Sequence, residues 1–175
     1  RGKSTLIKLL AQELAPDSGS IESGHNVKIG YFPQNHKDVL DEYKHLNLFD
    51  YLKMQKQGLY DQEIRSFLGK MLFAGDDAFK KIENLSGGES ARLLLSAITI
   101  DEPNVLLLDE PNNHLDLEAV SALAWALDEF KGTVLFISHD QDLMGKAAKK
   151  LIAFEEDKIH FFNGTFKEYF DNKDV

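Results

Sequence analysis

The sequence predicts one α/β domain, residues 1–175, with a mostly parallel sheet and a helical subdomain inserted at about 36–100. Residues 105–108 and 133–137 are almost continuously apolar, the pattern of strands that are buried on both faces of a parallel sheet. Between them, residues 116–130 carry an inward apolar stripe at helical spacing, formed by Val120, Leu123, Ala124 and Leu127. The 175 residues are enough for one such domain with a real core.

Composition narrows the class of function. Hydrophobic residues make up 43% and charged residues 28% of the chain, and no apolar run approaches the roughly 20 residues of a membrane span. The chain has no Cys, which excludes disulfides and Cys-ligated zinc and fits the reducing cytoplasm, where we expect the protein to work. A net charge of -9 argues against a broad basic face that binds nucleic acid, although this net charge is compatible with a local basic patch.

The first residues have the pattern of half a phosphate-binding loop. Gly2, Lys3, Ser4 and Thr5 lead into an amphipathic stretch at 6–14, which predicts a helix. Gly-Lys-Ser at a helix start is the second half of the motif G-x-x-x-x-G-K followed by Ser or Thr, so we expect the chain to begin inside that motif. In the motif, Lys reaches the β- and γ-phosphates and the hydroxyl reaches Mg²⁺. Taken alone, these residues also suit an ordinary helix start.

The next segments predict short strands and then a helical insert. Residues 20–23 and 27–32 alternate as strands do, and Gln34 follows the second strand; alone, this Gln also suits a solvated loop. Residues 48–57 and 61–72 predict helices, the second with Asp61 as N-cap, and 76–81 predicts a helical turn. Three histidines lack metal-ligand spacing, and we expect them at the surface: His25, His36 and His45.

A second glycine-containing helix start follows the insert. Ser86, Gly87, Gly88 and Glu89 open a predicted helix that runs to residue 100. A hydroxyl and bare backbone N–H groups at the positive end of a helix favour an anion. The alternative interpretation is a Ser N-cap with flexible glycines, and these residues alone leave both open.

Acidic and polar side chains stand where the two apolar strands end. Asp109 and Glu110 follow the first strand, and Ser138, His139 and Asp140 follow the second. Ligands of parallel sheets bind at the carboxyl ends of the strands. One carboxylate there can hold Mg²⁺ on a phosphate while the other orients a water molecule. An apolar strand followed by acids at a helix start is equally ordinary, so this segment alone does not decide.

The remaining residues predict a hairpin and a final helix. Residues 151–154 and 158–162 read as two strands around Glu155-Glu156-Asp157, and 164–170 read as a short aromatic helix.

Taken together, the motifs resemble the nucleotide-binding domain of ABC ATPases, a P-loop NTPase fold, over essentially the whole chain. The half loop, Gln34, Leu-Ser-Gly-Gly-Glu at 85–89, Leu-Leu-Leu-Asp-Glu at 106–110 and Ser-His-Asp at 138–140 stand in the order of that domain. The resemblance implies that the N-terminal strands of the fold and its nucleobase-stacking aromatic residue lie upstream of Arg1.

Within these ATPases, the chain resembles the ABC-F family. Residues 110–116, Glu-Pro-Asn-Asn-His-Leu-Asp, look like the family's Glu-Pro-Thr-Asn-His-Leu-Asp, with Asn112 in place of the usual Thr in the loop that meets the partner domain. Arg92 after the signature also fits the family, and the stretch 73–89 is similar to its YbiT-type subgroup. The aromatic tail at 162–169 resembles the ending of the second of the two ABC domains that such soluble proteins carry.

The resemblance implies an ATPase that uses ATP and Mg²⁺, with the ribosome as its expected partner, since many ABC-F proteins act there. Gly2, Lys3 and Thr5 would bind phosphates; Ser4 and Gln34 would ligate Mg²⁺, with Asp109 holding it through water. Glu110 would polarise the attacking water and His139 would contact the γ-phosphate. Ser86, Gly87, Gly88 and Glu89 would close over the ATP of a second, upstream ABC domain. The 175 residues by themselves are therefore expected to be inactive.

Three other interpretations remain. The ATP-binding subunit of an ABC transporter is the main alternative. A DNA-repair ATPase would carry a long coiled coil or Cys-rich zinc modules within the domain, whereas the stretch from Gln34 to Leu85 is short and Cys is absent. A non-hydrolysing interaction module is disfavoured because Lys3, Asp109, Glu110 and His139 are all present.

Overall fold

A computed structural model describes residues 2–73, 75–113, 115–155 and 158–171. Its helices are α1 (Lys3–Leu10), α2 (His36–Leu40), α3 (Leu48–Gln55), α4 (Asp61–Lys70), α5 (Gly87–Thr99), α6 (Leu117–Glu129), α7 (Gln141–Ala147) and α8 (Phe166–Asp171). Its strands are β1 (Ile29–Phe32), β2 (Val105–Asp109), β3 (Thr133–Ile137), β4 (Leu151–Phe154) and β5 (Ile159–Phe162). His114 and the predicted hairpin residues Glu156 and Asp157 lie outside the described residues.

The main sheet has the order β1-β2-β3, and both pairings are parallel. Phe32 is paired with Leu108, and Asp109 is paired with Ile137, so the carboxyl ends of the three strands lie at one edge. The predicted α/β fold with a parallel sheet is therefore confirmed. Because β2 is central, the residues that follow all three strands converge at this edge.

The central strand contributes to a core on each face of the sheet. Leu106 and Leu108 pack with α5, α6 and α7, whereas Leu107 packs with Ile7 of α1 on the opposite face. Alternate side chains of a strand point to opposite faces, so a strand covered on both sides reads as a continuous apolar run. The predicted burial of this strand is confirmed.

The strand at 133–137 forms as predicted, but the prediction that it is buried throughout is wrong. Ile137 is its only buried residue; Thr133 is exposed and the three between them are half-buried. The reason is its position, because β3 pairs with β2 and has no strand on its other side among the described residues. A groove of about 690 Å³ separates β3 from β4, and Lys3 and Leu6 of α1 also line it.

A separate helical cluster lies between β1 and β2 in the chain. Its buried side chains come from α2, α3, α4, α5 and the 3₁₀ segments Gly75–Phe79 and Ile82–Asn84. Helix α5 belongs to both cores: Leu93 and Ile100, just past its end, face the helical cluster, whereas Ala91 and Leu94 face the sheet. This one helix therefore connects the helical cluster to the sheet.

Several predicted boundaries differ from the structure. Residues 20–23 do not form a strand: they are exposed, and no described strand lies alongside to supply the hydrogen bonds that a strand needs. Tyr60, not Asp61, is the N-cap of α4, because the Glu63 carboxylate accepts a 2.8 Å hydrogen bond from the Tyr60 N–H. Helix α1 ends at Leu10, and Gln12 takes a left-handed conformation with φ of 62° just beyond it.

The predicted hairpin is present as the antiparallel pair β4–β5. Helix α8 packs on it through Phe162 and Tyr169, whose ring centroids lie 5.5 Å apart. Helix α7 was not predicted; the Asp140 carboxylate caps it by accepting from the Leu143 N–H at 2.7 Å. In the part of the chain that the structure describes, no helix is long and apolar enough to cross a membrane.

Candidate functional site

The start of α1 meets the end of β2 through a side-chain hydrogen bond. Gly2 precedes the helix in a left-handed conformation with φ of 91°, which a glycine adopts without steric cost. The Ser4 hydroxyl donates to Oδ1 of Asp109 at 3.2 Å. Two residues predicted to serve one site, far apart in sequence, are therefore in contact.

Asp109 is fully buried, with one oxygen unused. Its Oδ2 has no hydrogen-bond partner among the described residues, and the side chain is 0% exposed. Burial raises the pKa of Asp109 above its ordinary value; the Ser4 hydrogen bond opposes this and the nearby Glu110 charge adds to it. An unpaired carboxylate oxygen beside a hydroxyl fits a hard cation such as Mg²⁺.

A cation here would need further oxygens from outside the acidic side chains. No group of three or more His, Asp or Glu residues suited to a metal occurs among the described residues. Magnesium usually keeps several waters and binds through one or two carboxylates plus the phosphates of its nucleotide. Asp109 and Ser4 are adequate for that kind of site.

Glu110 begins the loop after β2 and is held in a defined position. Its backbone is left-handed, with φ of 51°, and its N–H donates to the Ile137 carbonyl at 3.0 Å, which anchors it to the end of β3. Its carboxylate Oε2 accepts from Nδ2 of Asn113 at 2.8 Å. Its Oε1 lies 3.5 Å from Nε2 of His139, whose side chain is 72% exposed.

The turn that carries His139 is connected to the same loop. The Ser138 hydroxyl donates to Oδ1 of Asn112 at 2.9 Å and accepts from the Asp140 N–H at 2.9 Å. The ends of β2 and β3 are therefore bridged by side chains as well as by sheet pairing. The contacts of Asn113 and Ser138 are not predictable from the sequence, because nothing in the pattern shows which loop side chains will meet.

The remaining predicted nucleotide-binding residues lie near this edge without contacting its carboxylates. Gln34 is exposed two residues beyond β1, and no hydrogen bond of its side chain occurs within the described structure. Lys3 is half-buried in the groove beside β3, and Thr5 is exposed on α1. The structure thus joins Ser4, Asp109, Glu110 and His139 into one group and leaves Gln34, Lys3 and Thr5 around it.

The Ser86–Glu89 segment forms the start of α5. The Ser86 hydroxyl accepts from the Glu89 N–H at 3.3 Å, and the Glu89 carboxylate accepts from the Ser86 N–H at 2.7 Å and from Lys80 at 2.7 Å. Burial alone would raise the pKa of Glu89, but these hydrogen bonds outweigh it and the pKa is lowered. The segment lines an open cleft, together with Lys37, Arg92 and Asp116.

His36 corrects the expectation of a surface histidine. Its side chain is 2% exposed, stacks on Phe32 with ring centroids 5.4 Å apart, and has Nε2 3.3 Å from the Gly87 carbonyl oxygen. His36 therefore connects the end of β1 to the start of α5. The burial of His36 could have been predicted from its spacing to Leu40, because these two buried residues lie one turn apart on α2.

Comparison with known proteins gives consistent matches. A family model described as ABC transporter matches residues 1–113. The chain is 37% identical over 175 residues to the probable ATP-binding protein YbiT of Escherichia coli O157:H7, and the alignment covers 99% of this chain and 33% of the relative. It is 43% identical over 170 residues to the probable ATP-binding protein YheS of Escherichia coli K12, covering 96% and 26%. The chain thus spans only about a quarter to a third of these relatives.

A solved structure shows the same fold. The match is to a chain in the crystal structure of archaeal ribosomal stalk protein aP1 in complex with archaeal ribosome recycling factor aABCE1. The two chains are 26% identical with a TM-score of 0.72, and the match covers 89% of this chain and 30% of that chain.

Proposed function

Because the chain belongs to the ABC transporter family and is of its ABC-F type, we propose that it forms one of two ATP-hydrolysing domains in a longer protein. The observation that carries this proposal is the contact between Ser4 and Asp109. It brings the phosphate-loop half at the start of α1 to the acidic end of β2, next to Glu110. Such an arrangement suits phosphoryl transfer, in which positioning and charge stabilisation do most of the work.

In this proposal, the start of α1 binds the phosphates of ATP. The Gly2 backbone, the Lys3 ammonium and Thr5 lie at the positive end of the helix, which favours an anion. Ser4 and Gln34 would supply oxygens for Mg²⁺, and Asp109, whose Oδ2 is unpaired among the described residues, would hold it through water. When bound, Mg²⁺ would neutralise charge on the phosphate oxygens.

Glu110 is the proposed base, and His139 assists it. The carboxylate of Glu110 orients the attacking water and accepts its proton, while His139 donates a hydrogen bond to the γ-phosphate. The 3.5 Å separation of Nε2 of His139 from Oε1 of Glu110 supports their joint action on one reacting group.

We also propose how the domain is organised. Residues 1–175 form one ABC domain, in which about 36–100 constitute a helical subdomain; the helical cluster with its own core supports this division. Ser86, Gly87, Gly88 and Glu89 face the ATP of a second ABC domain of the same protein. The open cleft that they line supports this role, because no described residue fills it.

The ribosome is the proposed partner of the whole protein, in the cytoplasm. Two findings support this: the ABC-F type of the relatives, and the likeness at 26% identity to a chain in a structure of a ribosome recycling factor. The charge of this segment does not, since a net charge of -9 gives it no general attraction for RNA.

Replacing Glu110 tests the proposed chemistry. In the full-length parent with Mg²⁺, we expect Glu110→Gln to lower phosphate release by about 10²–10⁴-fold, because the general base is lost, and to leave ATP bound. Phosphate release and retained radiolabelled ATP are the measurements. The matched control is Glu129→Gln, an exposed residue at the end of α6, which should keep the parent's rate. Equal rates for the parent and Glu110→Gln would remove Glu110 from this role.

The same variant tests the partner. With ATP present, the Glu110→Gln protein should sediment with ribosomes to a greater extent than the parent, because an ATP-bound state that cannot be hydrolysed accumulates on its target. Ribosome pelleting measures this. Association with a membrane fraction instead would favour a transporter subunit.

A further inference from the structure

A side chain outside the proposed reacting groups holds the Glu110 carboxylate. Nδ2 of Asn113 donates to Oε2 of Glu110 at 2.8 Å. The same two residues are joined through the backbone, where the Asn113 N–H donates to the Glu110 carbonyl oxygen at 3.1 Å. Pro111, between them, is fully buried, and proline fixes its own φ. Asn113 is therefore rigidly placed relative to the residue that it contacts.

The contact gives the two carboxylate oxygens of Glu110 different partners. Oε2 is occupied by Asn113, while Oε1 is directed toward His139 at 3.5 Å. A glutamate side chain has several torsions about which its carboxylate can turn away from a reacting group. In this structure, only 20% of the Glu110 side chain is exposed. Fixing Oε2 leaves Oε1 as the oxygen that is presented to a water next to the γ-phosphate.

We propose that Asn113 is a positioning residue for ATP hydrolysis, which holds the Glu110 carboxylate so that Oε1 meets the attacking water. This rests on the proposed function of Glu110. Asn113 acts through Glu110 and does not itself contact the reacting atoms. Because a displacement of about 1 Å can cost on the order of 10²-fold in rate, losing this contact slows the chemical step and leaves nucleotide binding unchanged.

The neighbouring asparagine has a different partner. Oδ1 of Asn112 accepts from the Ser138 hydroxyl at 2.9 Å, so Asn112 contacts the turn after β3. Adjacent residues of one loop therefore hold two different elements of the site. The difference allows the effect of Asn113 on Glu110 to be separated from a general loosening of the loop.

The test uses the full-length parent and steady-state ATP hydrolysis with a separate measurement of ATP binding. Asn113→Ala should lower kcat about 10- to 100-fold with the Kd for ATP unchanged within about 2-fold. Asn113→Asp, which keeps the shape of the side chain, should lower kcat further, because it places a like charge against Glu110. In a Glu110→Gln background, Asn113→Ala should have no further effect, since residues that act through one another are non-additive.

The control is Asn47→Ala. Asn47 also contacts the carboxylate three residues on, with Nδ2 2.8 Å from Oδ2 of Asp50, but it lies at the start of α3 in the helical cluster. It should keep the parent's kcat although it loses a helix cap.

Two outcomes would overturn the assignment of Asn113. The first is that Asn113→Ala and Asn113→Asp retain the parent's kcat while Glu110→Gln abolishes it. The second is that the kcat loss persists undiminished in the Glu110→Gln background. A parent whose hydrolysis does not depend on Glu110 at all would overturn the proposed function and, with it, this inference.

Discussion

Asp109 is a buried carboxylate whose charge affects the stability of the fold. Its pKa is raised by burial, so the folded chain holds this proton to higher pH than the unfolded chain does. An acid with a raised folded pKa contributes stability below its ordinary pKa of 3.8, and this is lost as the pH rises through the folded pKa. Ionised Asp109 therefore weakens the fold when no cation offsets it.

We predict that Asp109→Asn stabilises the chain without nucleotide or Mg²⁺ at a pH above the raised pKa, by on the order of 2–4 °C in Tm. The amide keeps an acceptor for Ser4 and carries no charge. The gain should shrink as the pH falls toward 3.8, which thermal unfolding across a pH series measures. Asp76→Asn, at an exposed site, should change Tm little at any pH. A variant no more stable than the parent at neutral pH would contradict the prediction.

The positions of single side chains could be predicted where they directly follow a strand with a clear apolar pattern. Asp109 and Glu110 could be placed because they end an unmistakable strand. Asn113 could not, because its role depends on which loop atom its amide meets, and no periodicity encodes that. His36 is expected at the surface because it has no metal-ligand spacing, whereas its buried contact with Phe32 depends on tertiary packing.

At the scale of elements, the approach of β3 to β2 depends on Gly132. A Cβ at this position would overlap the Asn104 carbonyl oxygen, which accepts a 3.0 Å hydrogen bond from the Thr133 N–H. Gly132→Ala must therefore move the start of β3 away from β2. We predict a loss of about 1–3 kcal/mol in the free energy of unfolding, measured by denaturant titration.

Gly145 provides the matched comparison. It lies in α7, and a Cβ there would meet nothing within 4 Å. Gly145→Ala should be neutral or stabilising by about 0.5–1 kcal/mol, because glycine costs conformational entropy in a helix. If both substitutions had the same effect, the close approach at Gly132 would not be a constraint.

Strands were predicted well where the apolar pattern is strong. They were predicted poorly where the presence of a neighbouring strand decides whether a segment forms a strand or is buried. Residues 105–108 and 133–137 lie in strands, as a short apolar run of strand length predicts for a parallel sheet. Residues 20–23 alternate between polar and apolar side chains as a strand does, yet a strand also needs a neighbouring strand, which a local pattern does not report. The burial of β3 was overestimated for the same reason, since its surroundings depend on what lies beside it.

At the scale of the whole molecule, we predict that the 175 residues alone bind MgATP weakly or undetectably and do not turn it over. Gly2, Lys3 and Ser4 match only the second half of a phosphate loop. Each charge-assisted hydrogen bond that the first half would supply contributes about 1.5–3 kcal/mol. The groove beside β3 also leaves that strand's outer edge unpaired among the described residues. Titration calorimetry measures the affinity.

ATP binding and ATP hydrolysis should be recovered one after the other. A polypeptide that carries a complete phosphate loop ahead of Lys3 should recover ATP binding first, and supplying a second ABC domain should then restore hydrolysis. Micromolar affinity of the 175 residues for MgATP would contradict this, because the half loop would then suffice.

The helical cluster draws its side chains from one continuous stretch, between Leu40 and Ile100, whereas the sheet pairs Ile29 with Val105. Closing short loops costs less conformational entropy than closing long ones, so contacts that are near in sequence form faster. Chains also leave the ribosome from the N-terminus. During synthesis, the helical cluster can therefore assemble as soon as α5 has emerged, before β2 and β3 exist for β1 to join.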